Sequence, residues 1–138
     1  MQKSIDLLYI GNNRLPSEKA DGLYVMKLCE AFAAQGVNVI LLVPKRINRI
    51  HEDPFFYYGV KKKFSVRFVP SFDLLFFSKA PVFIMKLFFL AQAVTFGIAA
   101  AFFAKRWMVS GALGPAQKII ISHEPYSLFF LSFFFRSP

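Results

Sequence analysis

A chain of 138 residues is long enough for one domain with a sizeable core. Its 56% hydrophobic content, 19 phenylalanines and formal charge of +9 go beyond an ordinary core and point to a membrane surface or a covering polypeptide. The same apolar character, with no RNP, KH, zinc-finger or helix-turn-helix pattern, sets nucleic acid aside as a partner despite the basic charge.

Residues 5–10, I-D-L-L-Y-I, read as a short buried strand closed by Gly11, Asn12 and Asn13. The polar loop N-N-R-L-P-S-E-K-A-D-G follows. Residues 23–35 read as a helix, with Val25, Leu28, Cys29, Phe32 and Ala33 at helical spacing and Gly36 placed to end it. Residues 37–43, V-N-V-I-L-L-V, form the near-continuous aliphatic run of a parallel strand covered on both faces, closed by Pro44. Strand, loop plus helix, strand is a βαβ unit with a right-handed crossover, so residues 1–44 predict an α/β sheet on local grounds.

A short helix is expected after Asp53, with Pro54 in its first turn. Residues 64–69, F-S-V-R-F-V, alternate as a third strand ended by Pro70 and Ser71. Residues 81–104 then form an apolar segment in which Lys86 is the lone charge, and 87–104 holds none across 18 residues. As a helix this segment would reach about 36 Å, enough to cross a bilayer. Two readings therefore stand: a spanning helix, or a crossover helix packed on the sheet and touching lipid. The packed reading is favoured by residues 118–122, K-I-I-I-S, a fourth strand that a spanning helix would put on the wrong side of the membrane. Residues 111–115 are read as a loop, and 127–135, S-L-F-F-L-S-F-F-F, as an apolar final helix. A domain ending on such a helix looks unfinished.

The loop of residues 11–22 occupies the carboxyl end of the first strand, where open parallel sheets bind ligands, and it leads into a helix N-terminus that favours anions. G-x-G-x-x-G is absent, so a dinucleotide fingerprint is not supported. Lone Cys29 allows no intrachain disulfide and fits a reducing compartment. Leu7 to Ile10 is too short for a signal-peptide core, which makes the cytoplasmic side the default. His51 beside Glu52 and Asp53 lacks a further ligand at suitable spacing, so no metal site is expected. Lys61, Lys62 and Lys63 are read either as contacts to lipid headgroups or a lipid-diphosphate acceptor, or as a solvated turn. The pairs Phe76–Phe77 and Phe88–Phe89 are read as core or interdomain surface.

The stretch L-L-Y-I-G-N-N-R-L-P-S-E-K-A-D-G-L-Y-V-M-K-L-C-E-A-F-A-A-Q-G-V-N-V-I-L-L-V-P resembles the start of the family 4-like glycosyltransferases. R-L-P-S-E-K-A and V-M-K-L-C-E-A-F-A are its most specific parts. Y-Y-G-V with F-S-V-R-F-V-P-S-F-D resembles the family's next block, and S-H-E-P-Y-S-L-F-F-L its later T-R-D-P-Y-like turn.

The resemblance implies the N-terminal, acceptor-side half of a GT-B enzyme: a Rossmann-like parallel sheet with helices on both faces, incomplete because the donor-binding domain is missing. It implies no cofactor and no metal ion, with a nucleotide sugar as donor substrate. By carry-over, Gly11, Asn12, Arg14, Ser17 and Lys19 would line the cleft. Glu124 matches the acidic position of the later turn, while His123 stands where the family usually has Arg. Glu124 or His123 would position or activate an acceptor hydroxyl, and Arg14 and Lys19 would offset charge on a departing diphosphate. The expected partners are a membrane surface or lipid-linked acceptor, and a donor-domain chain if the enzyme is split. The expected place is the inner face of the cell membrane. A rival expectation is a non-catalytic, membrane-anchored interaction protein.

Overall fold

The computed structural model describes residues 4–74, 79–110 and 116–136. The predicted loop at 111–115 and the pair Phe76–Phe77 lie outside the described residues. Eight elements follow in chain order: β1 Ile5–Ile10, α1 Ala20–Ala34, β2 Asn38–Lys45, α2 Pro54–Tyr57, β3 Ser65–Pro70, α3 Val82–Val109, β4 Gln117–Ser122 and α4 Pro125–Phe134. The strands form one sheet in the order β3-β2-β1-β4, with every neighbouring pair parallel. This 3-2-1-4 order is that of a doubly wound α/β sheet.

Strand alternation splits the core into two layers. Leu7 and Tyr9 of β1, with Val39, Leu41 and Val43 of β2, bury against Val25, Met26 and Cys29 of α1. Leu8, Ile10 and Leu42 face the other way, onto Phe96, Ala100, Ala104 and Trp107 of α3 and Leu131 of α4. Helices thus cover both faces, as predicted. Burial pushes the Cys29 thiol up to about 12, which makes it an inert packing group.

The short helix α2 starts where predicted, with Asp53 accepting from the Phe55 N–H at 2.8 Å and Pro54 in the first turn. Helix α1 starts three residues before its predicted Leu23. Ala20, Asp21 and Gly22 carry no apolar period, but Gly22 is buried and lies under the Tyr58 hydroxyl, a contact made by distant chain. Strand β2 continues through Pro44 to Lys45 because β3 pairs with it that far. The β1 register stops at Leu42, so the missing Pro44 N–H takes nothing from that ladder.

Helix α3 has 28 residues, a mean hydropathy of 2.0 over its most apolar 18-residue stretch, and the length and composition of a membrane span. It nevertheless packs on the sheet and against α4, and β4 pairs with β1 over all six of its residues. The predicted end at residue 104 is extended to Val109, so Lys105 and Arg106 are exposed helical positions rather than flanks. Two contacts fix this helix. The Lys118 ammonium donates to the carbonyls of Trp107, Met108 and Ser110 at 2.8, 3.1 and 2.8 Å, capping its negative end from β4. Gly97 lets α4 approach: a Cβ there would lie 3.0 Å from the Tyr126 carbonyl carbon and 3.1 Å from the Ser127 nitrogen. Gly97→Val is therefore expected to cost about 1–3 kcal/mol in a urea titration, because backbone cannot yield as a side chain does.

Candidate functional site

In a parallel sheet all strands deliver their following loops to one edge. Here the β1–α1 loop, the start of the β2–α2 loop and the β4–α4 turn meet the upper part of α3 at the carboxyl edge. Between them opens a cavity of about 920 Å³. Asn12, Arg14, Ser17, Lys19 and Glu124 all border it, so five of the seven site residues expected from the sequence are brought together. Gly11 and His123 are not among its walls.

Asn12 and Arg46 of the cavity wall are joined to Gln92, buried behind them, in an interlocked polar cluster. Asn12 and Gln92 pair through their amides, Gln92 Nε2 donating to Asn12 Oδ1 at 3.0 Å and Asn12 Nδ2 to Gln92 Oε1 at 3.3 Å. Arg46 Nη2 donates to both amide oxygens, to Gln92 at 2.8 Å, and to the Asn12 carbonyl at 3.3 Å. Gln92 is 0% exposed, so its amide would be costly without these partners. Burial pulls the Arg46 guanidinium below its ordinary value, with Asp73 opposing that shift and Arg14 adding to it. Among the described residues the hydrogen bonds of Arg46 go to neutral oxygens, and its Nε is buried without a partner. A desolvated guanidinium held this way is suited to receive an anionic group.

Around that cluster the loop is pinned from several elements. Arg14 pairs with Asp73 at 3.5 Å, and Asp73 also accepts from the Ile47 N–H at 3.0 Å. The Tyr58 hydroxyl accepts from the Ser17 N–H at 2.7 Å and donates to the Ser17 carbonyl at 2.8 Å. Asn48 donates to the Pro16 carbonyl at 2.6 Å. Lys19 is the N-cap residue of α1, and its own N–H is bound by Ser17 Oγ at 3.0 Å. Gly11 continues the β1 ladder one step, its N–H reaching the Leu42 carbonyl at 3.0 Å.

The β4–α4 turn divides its two candidate residues. Glu124 is 5% exposed, and its Oε2 accepts from the Ser127 N–H at 2.6 Å and hydroxyl at 2.8 Å. That carboxylate caps α4. His123 is exposed and turns to the other face of the sheet, its ring nitrogens 3.0 and 3.1 Å from the Tyr9 hydroxyl. Burial, with smaller effects of Cys29 and Tyr24, pushes the Tyr9 phenol up to about 12, which keeps it a neutral hydrogen-bonding anchor for the imidazole.

Arg46, Gln92, Tyr58 and Asp73 were not among the expected site residues. Gln92 had a visible signal, a lone amide within the charge-free run 87–104. Arg46 was hidden in a basic cluster, and nothing local marks Tyr58 or Asp73. No protein-family profile, no curated protein and no solved structure matches this chain.

Because the Glu124 carboxylate caps α4, Glu124→Ala should lose about 1 kcal/mol of stability in denaturant titration. Glu124→Gln, whose amide oxygen can still accept, should lose less.

Proposed function

We propose that this chain is the acceptor-side, N-terminal domain of a GT-B glycosyltransferase of the family 4-like group. It would act at the cytoplasmic face of a membrane on a glycan or lipid-linked acceptor. The carrying observation is that R-L-P-S-E-K-A and S-H-E-P-Y, two stretches of the resemblance more than 100 residues apart, both contribute residues to the wall of one cavity. Loop placement at the carboxyl edge of a parallel sheet supports the same reading, because that edge is where such sheets bind ligands.

In this reading Arg46, Arg14 and Lys19 offset negative charge on an acceptor phosphate or on the departing nucleotide diphosphate. Glu124 shapes the later turn, and His123, held by Tyr9 outside the cavity walls, takes no part in this reading. The nucleotide sugar would be gripped chiefly by a second domain or partner chain, without a bound metal ion. A non-catalytic membrane-bound interaction protein is the second reading, favoured by the exposed apolar residues of α3.

Incubated alone with nucleotide sugars and acceptors, the chain should turn over at background rate, and robust transfer would overturn the acceptor-domain reading. A diphosphate-bearing acceptor followed by NMR should shift amides of residues 12–19, 46–49 and 123–126. Arg46→Ala should weaken its binding by on the order of tenfold to hundredfold, the worth of a lost charge-assisted hydrogen bond, and Arg46→Lys by less. Binding that ignores both changes would remove the cavity from the reading.

A further inference from the structure

Buried positions in α3 begin at Gln92, and none of the nine residues 82–90 is buried. These first turns extend about 13 Å beyond the part of the helix that packs on the sheet. Val82, Phe83, Ile84, Leu87, Phe89 and Leu90 are exposed, Val82 by 73% and Phe83 by 72%. At 100° per residue these six side chains spread over about 220° of the helix circumference. Met85 and Phe88, half-buried, occupy most of the remainder, and Lys86 is the lone polar side chain.

That distribution selects the occupant. A protein partner, or a second copy of this chain, covers a stripe of a helix roughly 100° wide and leaves the far side polar. A helix apolar nearly all round is matched by a surrounding apolar medium. Charge agrees: no Asp or Glu occurs between Asp73 and Glu124, while Lys79 lies just ahead of the segment and Lys86 within it. Lysines at such a place bury their stems in the acyl boundary and keep the ammonium among anionic headgroups.

We infer that residues 82–90 insert as a wedge into an anionic lipid surface, holding the sheet's carboxyl edge against the bilayer. Phe89 belongs to both the wedge and the cavity wall. The cavity therefore opens at headgroup level, beside the Arg46 cluster. Lys61, Lys62 and Lys63 precede β3 and so belong to the opposite, amino edge of the sheet, away from the lipid. The inference rests on the membrane-face part of the proposed function and specifies which segment makes that contact. It does not depend on sugar transfer.

Trp107, the one tryptophan, sits buried near the far end of α3 and serves as an internal reference. Vesicles of phosphatidylcholine with phosphatidylglycerol, carrying bromine high on the acyl chain, should quench a tryptophan introduced by Phe83→Trp and leave Trp107 unquenched in the unsubstituted chain. Flotation with these vesicles should fall on the order of tenfold or more for Phe83→Glu or Leu87→Glu. It should be unchanged for Phe56→Glu, an equally exposed site on α2, and for the triple change of Lys61, Lys62 and Lys63 to Gln. Because Phe83 and Leu87 are exposed, thermal melting of those variants should match the parent. Quenching of Trp107 as well would mean that α3 lies flat in or crosses the bilayer, and would overturn the wedge. So would flotation insensitive to Phe83 and Leu87, flotation lost with the three lysines, or no flotation at all. Diphosphate-acceptor binding by Leu87→Glu separates the two ideas. Retained binding with lost flotation leaves both standing, and absent binding in the unsubstituted chain defeats the transferase reading alone.

Discussion

Parallel pairing of β1 on both sides governs the carboxyl edge. β2 pairs with it from Asp6 to Ile10 and β4 from Ile5 to Ile10, so β1 is the central strand of both pairs and carries core on both faces. A parallel neighbour cannot be reached by a tight turn, and each needs a crossover helix. Helix α1 supplies one crossover on one face, and α3 lies on the other between β3 and β4. Because the strands all point one way, loops from β1, β2 and β4 are delivered side by side, and residues 12 and 124 come to border one cavity.

The polar cluster at that cavity depends on α3 as much as on the loops. Gln92 is the first buried position of the helix and the point where an otherwise apolar segment meets the β1–α1 loop. Its amide can be buried because Asn12 and Arg46 satisfy both ends of it, and the guanidinium is in turn oriented by the two amides. The network satisfies both ends of the Gln92 amide and leaves only the Arg46 Nε buried without a partner, so losing any member would add a further unpaired buried polar group. The cluster links the depth at which α3 sits on the sheet to the position of the β1–α1 loop.

Hydrophobicity, which first marked the chain as unusual, has two physical origins. Part of the apolar surface is ordinary core, the seam of Phe96, Ala100, Ala104 and Trp107 against the sheet. Another part, in residues 82–90 and on the outer side of α4 at Leu128, Phe129 and Phe133, faces outward. The same helix thus serves as crossover in its second half and as an exposed apolar projection in its first. Composition averages the two and cannot separate them.

Local pattern was enough for all four strands, the presence of all four helices and the α/β class, because a buried parallel strand needs an unbroken aliphatic run and a crossover helix needs a 3.6-residue period. The approximate position of the loop 11–22 at the strand's carboxyl end follows from the same βαβ logic. A distant group displaced one helix start, Gly22 beneath Tyr58 drawing α1 back to Ala20; the start of α4 at Pro125 is set locally, by Glu124 capping the Ser127 N–H three residues on. Tertiary structure alone decided that α3 packs rather than separates β4 from β1, since length and hydropathy are identical for a span and a core helix. It also decided which polar residues form the site. Asn12, Arg46 and Gln92 are 34 and 46 residues apart in succession, and a hydrogen bond acts over a few ångströms of space, a distance that sequence separation does not encode.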